Sequence, residues 1–281
     1  MSAAQEPLAL ERGVQTLGER ILRMTETLGE FALLAAASVR ALGQRRFPWR
    51  ELLIQLEAAV VRSTPLVAIT ALFTGMVLSL QTAFALGRFG ARPYVGSIVG
   101  LAIVRELGPV LAALMVGGRV GAGITSELGS MKVTEQVDAI RAMGADPVQK
   151  LVLPRVLAVT FGLPLLTFFA VLLGVLGGML VADLQFGIGA NFYLQTVTTT
   201  VTVGDFVSGV SKTFVFGWIV AMVGCHVGLG TEGGTRGVGS ATTRSVVAAS
   251  IAILVSDFFL TKLFMLVPDL REIMAFFREL A

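Results

Sequence analysis

The run LVLPRVLAVTFGLPLLTFFAVLLGVLGGMLVADL, residues 151–184, decides what kind of protein this is. Its only charged side chains are those of Arg155 and Asp183. About 20 apolar residues in helical conformation cross the hydrocarbon core of a bilayer, and this run is longer than that. We therefore expect a transmembrane helix here, interrupted at Pro164, because proline lacks the N–H group that a helix interior needs.

The composition of the whole chain agrees with a membrane protein. Of its 281 residues, 54% are hydrophobic and 15% are charged, whereas soluble domains carry about 25% charged residues. The single cysteine and the single histidine, Cys225 and His226, allow no internal disulfide and are too few for a metal site of their own. The sequence contains no GxxxxGK[ST] loop, so we expect no nucleotide site on this chain. The net charge of +3 gives no support to nucleic-acid binding.

Four further apolar runs flank the first one, which gives five predicted spans. We place them at residues 59–86, 94–118, 151–184, 206–230 and 246–267. Basic residues cluster before the first span, and residues 185–204 contain no Lys or Arg. The positive-inside rule therefore predicts a cytoplasmic N-terminus and an external C-terminus. We expect an all-α membrane protein with one domain over residues 1–281 and a transmembrane bundle over residues 59–267.

The two ends of the chain differ from the bundle. Residues 8–45 alternate charged and apolar positions at helical spacing, which predicts an amphipathic helix within a cytoplasmic or interfacial segment, 1–50. The alternative is an ordinary amphipathic helix packed on protein. Residues 1–24 lack the layout of a cleaved signal peptide. Residues 268–281 form a short amphipathic tail, to which we assign no function.

Charged residues inside the predicted spans are the first candidates for function. Arg105 and Glu106 lie in the second span, and charges at that depth are costly unless they are paired or hydrated. Pro109 cannot donate a hydrogen bond to the Arg105 carbonyl, so we expect a bend and a free carbonyl there. The pair is either an anchor or gate for a polar group, or an ion pair that holds helices together.

Further charges lie in the fourth and fifth spans. Asp257 and Lys262 lie in the fifth span, and Lys212 lies about two turns into the fourth. We expect Asp257 to pair with a deep basic residue of another helix. A structural role is the favoured interpretation of that pair.

The segment between the second and third spans is rich in charge. We expect residues 119–150 to lie on the cytoplasmic side. Within it, EQVDAIRAMGADP, residues 135–147, predicts a short helix that ends at Gly144 and is followed by a turn at Asp146-Pro147. Its apolar face would consist of Val137, Ile140, Ala142 and Met143. Such a helix is either a docking element for a soluble partner or a plain surface helix.

Three stretches carry a resemblance to a known family. They are RELGPVLAALMVGGRVGAGITSELGSMKVTEQVDAIRAMGADPVQKLVLPRVLA at 105–158, GVGSATTRSVVAAS at 237–250 and DFFLT at 257–261. Over roughly residues 45–267 the chain resembles the MlaE (YrbE) permeases. The resemblance implies an N-terminal interfacial helix with five spans. It also implies a subunit of an inner-membrane ABC transporter that moves phospholipids or related lipids between the bacterial inner and outer membranes and so maintains outer-membrane lipid asymmetry.

The resemblance also implies partners and site residues. The partners would be a second copy of the chain, an ABC ATPase that binds the ATP, an MCE-domain protein and a STAS-domain protein; the chain itself would need no cofactor and would not be an enzyme. The residues that would contact the ATPase are Glu135, Gln136, Asp138, Ala139, Arg141, Met143 and Gly144. A lipid cavity at the dimer interface would involve Leu78, Gln81, Phe89, Arg105, Glu106 and Leu107.

Two rival functions remain open on the residues alone. A stand-alone secondary transporter or channel could use Arg105, Lys212 and Asp257 as an ion path, and its transport would respond to a proton gradient. A membrane scaffold could bind a partner through residues 135–144 without carrying a substrate.

Overall fold

A computed structural model describes residues 6–43 and 48–266 of the chain. These residues form helices and turns, with no strand among them. The predicted tail, residues 268–281, lies outside the described residues. The described part divides into two units, with residues up to Phe47 in the first and residues from Pro48 in the second.

The first unit is one long helix, α1, Glu6–Leu42. It confirms the helix predicted over residues 8–45. Several of its apolar side chains are exposed, among them Leu22, Leu28 and Leu33. A location in the membrane interface stays a prediction.

The second unit is a bundle of long helices. Its α-helices are α2 Trp49–Val60, α3 Thr64–Gly87, α4 Val95–Ala102, α5 Gly108–Val116, α6 Ala122–Val133, α7 Gln136–Ala142, α8 Leu153–Phe186, α9 Ala190–Thr200, α10 Val203–Leu229 and α11 Gly234–Leu266. A 3₁₀ turn, Arg92–Tyr94, precedes α4. Three π-helical turns lie at Ile103–Leu107, Gly117–Gly121 and Val148–Val152. We call the end of the bundle that carries α7 the α7 end and the opposite end, which carries α9, the α9 end.

Within residues 6–43 and 48–266, five helical segments are long and apolar enough to cross a membrane, which agrees with the predicted number. They are Trp49–Gly87, Arg92–Val133, Val148–Phe186, Val203–Leu229 and Gly234–Leu266. The chain is therefore a multi-pass all-α membrane protein. Which end faces the cytoplasm stays a prediction.

The second span is longer than expected. We predicted its end near Gly118 and a charged segment beyond it, but the helix continues to Val133. Its charges do not end the helix because they have partners: Arg119 donates to the Ser63 hydroxyl at 2.8 Å, and Glu127 pairs with Arg155 at 3.0 Å. The first part of the predicted coupling segment 119–150 is thus a continuation of the span.

The predicted interruption of the third span at Pro164 is also wrong. Helix α8 runs from Leu153 to Phe186 with Pro164 inside it. Tight packing along α8 compensates for the lost hydrogen bond, since Leu163 and Leu166 are buried. A Cβ atom on Gly177 of α8 would clash with the Leu72 carbonyl of α3, and one on Gly75 of α3 would clash with the Gly174 carbonyl of α8, so small residues allow α3 and α8 to approach closely.

The α9 end is closed by the short helix α9. Its Tyr193 is fully buried in an apolar cluster with Val95 and Val99 of α4. Burial raises the pKa of Tyr193 above its ordinary value, so this phenol stays neutral. The link to α10 is a capping box, in which Thr202 and Asp205 satisfy each other's backbone N–H groups.

Candidate functional site

The deep charges converge on one buried ammonium group, that of Lys212 in α10. Its Nζ atom lies 2.9 Å from both carboxylate oxygens of Glu106, 3.1 Å from Oδ1 of Asp257 and 2.6 Å from Oγ1 of Thr261. The Lys212 side chain is only 3% exposed, against 39% for Glu106 and 18% for Asp257. One buried cation therefore ties the second, fourth and fifth spans together. We call Glu106, Lys212, Asp257 and Thr261 the Lys212 cluster.

The backbone of the second span is shaped for this contact. The Gly108 N–H bonds to the Ile103 carbonyl, five residues back, which makes a π-helical turn around Arg105 and Glu106. Pro109 has no N–H for the Arg105 carbonyl, and Lys212 lies 3.3 Å from that oxygen as a donor instead. The free carbonyl that the sequence predicted is confirmed, although the helix responds with a wider turn. Single π turns are frequent at functional sites.

Arg105 belongs to a neighbouring ion pair. Its guanidinium group donates to Oδ1 of Asp205 through both Nε and Nη2. The other oxygen of Asp205 accepts from the backbone N–H of Thr202 at 2.8 Å and from its hydroxyl at 2.9 Å. Asp205 is 6% exposed and Arg105 is 46% exposed, so the acid is fixed while part of the guanidinium remains accessible.

The structure confirms the predicted pairing of Asp257, and it shows that Arg105 and Glu106 form ion pairs that join the second span to α10. Asp257 does pair with a deep basic residue of another helix, namely Lys212. Arg105 and Glu106 do not pair with each other: adjacent helical residues point in different directions, and each finds a partner in α10. Asp205 was not predicted, although the motif Thr202-x-x-Asp205 is the signature of a capping box. Lys262 is exposed and lies outside the Lys212 cluster.

An open groove lies beside these charges. Its volume is about 390 Å³, and its lining residues are Phe73, Thr74, Val77, Leu78, Gln81 and Leu107. Leu107 follows Glu106 directly in the chain, so the groove lining adjoins the π-helical turn that carries Arg105 and Glu106. Among the six residues implied for lipid binding, Leu78, Gln81 and Leu107 line the groove, and Arg105 and Glu106 lie next to Leu107. Phe89 is 82% exposed beyond the end of α3, outside the groove lining.

The predicted helix after the second span is present at the α7 end. Helix α7, Gln136–Ala142, is preceded by Glu135 at φ 58° and followed by Gly144 at φ 74°. Val137 and Ile140 are buried, whereas Met143, which we placed on the same apolar face, is 72% exposed. Asp146 then caps the next turn by accepting from the Val148 N–H at 2.9 Å. The helix and its terminating turn are confirmed; its apolar face is narrower than predicted.

The residues implied for ATPase contact lie on the outside of this helix. Glu135, Gln136, Asp138, Ala139, Arg141, Met143 and Gly144 are all exposed. Asp138 accepts from Lys132 of α6 at 3.1 Å and from Arg141 at 3.2 Å. The Lys132–Asp138 pair joins α7 to α6, the Arg141–Asp138 pair lies within α7, and the buried Val137 and Ile140 hold the helix on the bundle. The outer surface of α7 is thus available to a partner while its inner surface is held by the bundle.

Comparison with known proteins agrees with the architecture. The family described as Permease MlaE matches residues 52–263. A probable ABC transporter permease protein of Rickettsia felis is 38% identical over 249 residues, which cover 89% of this chain and 96% of the relative. A probable ABC transporter permease protein of Synechocystis is 39% identical over 218 residues, covering 78% of this chain and 83% of the relative.

A plant protein is similar as well. The chloroplastic protein TRIGALACTOSYLDIACYLGLYCEROL 1 of Arabidopsis thaliana is 35% identical over 232 residues, which cover 83% of this chain and 66% of the relative. The family match spans most of the described bundle, including α3, α7 and the Lys212 cluster. The chain therefore belongs to the MlaE permease family and is a transport subunit of the membrane.

Proposed function

We propose that this permease moves phospholipids or related lipids as the membrane-spanning subunit of an ABC transporter. The observation that carries the proposal is the open groove of α3 and Leu107, whose lining is next in the chain to the charged residues Arg105 and Glu106. Acyl chains suit the mainly apolar lining, because they fill it without burying a polar group that needs a hydrogen-bond partner. The Arabidopsis relative, whose name contains that of a galactosylated diacylglycerol, supports a lipid substrate.

The charges of the adjoining π-helical turn suit the polar part of a lipid. The half-exposed guanidinium of Arg105 can donate to a phosphate oxygen while Asp205 holds its other side. Lys212 is fully engaged within its cluster, so it supports the position of Glu106. The lipid-binding residues of this proposal are Leu78, Gln81, Phe89, Arg105, Glu106 and Leu107; Phe89 lies beyond the end of α3, outside the groove lining.

We propose that the energy comes from a separate ATPase that docks on α7. Helix α7 offers exposed polar side chains and the projecting apolar Met143 on a helix that is anchored to the bundle. A push on such a helix reaches α6 directly, since Lys132 and Asp138 join the two. In this proposal ATP is bound by the partner, and this chain carries no cofactor.

We propose that the assembly is a homodimer in the bacterial inner membrane. Two copies would bring two grooves to a shared cavity. An MCE-domain protein outside the membrane would accept or deliver the lipid, and a STAS-domain protein would accompany the ATPase. Maintenance of outer-membrane lipid asymmetry would be the physiological result.

The first experiment is affinity purification from the native host in mild detergent, with mass spectrometry of the proteins and lipids that accompany the chain. We expect an ABC ATPase, an MCE-domain protein and bound phospholipid. Recovery without an ATPase even after cross-linking would contradict the ABC assignment. Gradient-driven transport by the chain alone would favour an ion-coupled transporter, and an assembly without bound lipid would favour a scaffold.

The groove is tested by two substitutions with matched controls. Leu78→Arg places a charge in the groove, and Arg105→Glu reverses a charge of the adjoining turn; both should reduce bound lipid and outer-membrane barrier function. Leu184→Arg and Arg88→Glu make the same chemical changes at exposed positions outside the groove lining. Wild-type lipid content in both groove variants, at normal expression, would refute the groove as the lipid site.

A further inference from the structure

Backbone irregularities in three spans lie at one level of the bundle: two interrupt an α-helix, and the third is a missing hydrogen bond inside the continuous helix α8. Between α2 and α3, residues 61–63 form a turn, and the Arg62 N–H bonds five residues back to Glu57 rather than four. Between α5 and α6 lies the π-helical turn Gly117–Gly121. In α8, Pro164 has no N–H for the Thr160 carbonyl. Helix α8 stays continuous at this point. We call these three irregular sites, at 61–63, 117–121 and 160–164, the hinge layer.

Direct contacts place the three irregular sites side by side. The Arg119 guanidinium of the π turn donates to the hydroxyl of Ser63, at 2.8 Å. Val60, directly before residue 61, and Leu56, one turn earlier, pack on Gly162 of α8. The three irregular sites therefore lie at one level because of the packing between the helices, which their positions along the sequence do not show.

The π turn has a low helix propensity and irregular hydrogen bonds. It contains Gly117, Gly118 and Gly121, and each glycine in a helix costs about 1 kcal/mol relative to alanine. The Gly117 N–H is shared between two carbonyls, and the Ala122 N–H bonds only three residues back, to Arg119. Sharp helix bends occur at Pro, at Gly and at π turns, and the hinge layer contains all three.

The other two spans are continuous beside the hinge layer. Val220 of α10 packs on Gly117 and Gly121, and Ile253 of α11 reaches Gly117, while both helices run unbroken past this level. The groove lies to the α9 side of the layer, and α7 lies to its other side. The layer therefore separates the candidate lipid groove from the candidate docking helix in three helices of five.

We propose that the hinge layer is a bending plane. The two halves of α2–α3, α5–α6 and α8 tilt against each other at this level, with α10 and α11 as the fixed frame. Movement of α7 would then change the width of the groove. The bending itself does not depend on the identity of the substrate, and this inference goes beyond the proposed function.

Two glycines of the same span supply a matched test. A Cβ atom at Gly118, within the π turn, or at Gly123, within α6, meets nothing within 4 Å, so alanine fits at both positions. The full-length permease in phosphatidylethanolamine–phosphatidylglycerol nanodiscs is followed by hydrogen–deuterium exchange. Gly118→Ala should slow exchange at residues 117–122 about fivefold through its better helix propensity, and Gly123→Ala should leave these amides unchanged.

The tilt is measured as a distance. Spin labels at Met143→Cys on α7 and Thr199→Cys on α9, both exposed positions, report the separation of the two ends, with unlabelled chain added to dilute contacts between copies. Cys225 is buried and should not react. We expect a broad distance distribution that Gly118→Ala narrows and Gly123→Ala does not. Identical distributions and identical exchange in all three proteins would overturn the bending plane, whether or not the protein carries lipid.

Discussion

Two charge clusters of this permease each contain three charged side chains, one of which pairs with the other two, but the clusters differ in solvent exposure. In the Lys212 cluster one cation serves two carboxylates, Glu106 and Asp257. At the α7 end one carboxylate, Asp138, serves two cations, Lys132 and Arg141. The Lys212 side chain is 3% exposed and that of Asp138 is 47% exposed. Solvation, and not the number of ion pairs, should therefore decide what each cluster contributes.

The largest effect should come from Lys212→Met. Removal of the ammonium leaves two carboxylates without a cation in a largely buried place, and such a loss costs about 3–5 kcal/mol. We expect little folded protein and a clearly lowered midpoint of thermal unfolding, measured by fluorescence-detected size-exclusion after heating. Lys150→Met, at an exposed lysine, is the matched control and should behave as wild type. Normal stability of Lys212→Met would break the comparison.

A second substitution should partly rescue the first. In Lys212→Met/Asp257→Asn a neutral amide replaces one of the two unpaired carboxylates. The double variant should therefore recover about 1–3 kcal/mol of the stability that Lys212→Met loses, which is the usual size of the coupling between neighbouring residues. The same thermal assay on the two single variants and the double variant closes a double-mutant cycle. A double variant whose loss equals the sum of the single losses would show that Asp257 and Lys212 act independently.

The Lys212 cluster shows where sequence reasoning succeeds and where it stops. The depth of Arg105, Glu106 and Asp257 within apolar runs was enough to mark them as paired or functional, because bilayer hydrocarbon penalises isolated charges. The partners could not be chosen, because that choice depends on which helix faces meet. Asp205 escaped notice, since it stands at the start of the fourth span and reads as a helix cap.

Helix ends show the same limit. Charge predicted that the second span ends near Gly118, but Ser63 and Arg155 from other helices satisfy Arg119 and Glu127, and the helix continues. Pro164 predicted a break that surrounding packing prevents. Local signals held where no distant group intervened: Gly144 at positive φ ends α7 as expected. The groove required α3 and Leu107 to be brought together, which spacing alone does not show.

Arg105 offers an intermediate case between the two clusters. In Arg105→Gln the buried Asp205 loses its charge partner but keeps two hydrogen bonds from Thr202. Because Arg105 is half exposed, we expect a loss of only about 1–2 kcal/mol. Arg88→Gln, at an exposed arginine after α3, is the control for the thermal midpoint. Bound phospholipid per folded protein should also fall relative to wild type and to Arg88→Gln. Wild-type lipid content together with a lowered thermal midpoint would assign Arg105 a purely structural role.

The smallest effect on stability should come from Asp138→Asn. Both of its ion pairs are exposed, and such pairs contribute about 0–1 kcal/mol, less at high salt because the Debye length shortens. We expect a small shift of the thermal midpoint at low salt that disappears in 0.5 M salt, on the order of a 4 Å Debye length. Asp183→Asn, exposed near the end of α8, controls for loss of a surface charge. A loss above about 2 kcal/mol would exceed the range of exposed pairs and place Asp138 energetically with Lys212. Reduced ATP-driven lipid transport at unchanged stability would instead show that Asp138 orients α7 through its pair with Lys132. A helix that transmits movement from a partner to the bundle needs a defined angle to α6, even where the ion pair that sets this angle adds little stability.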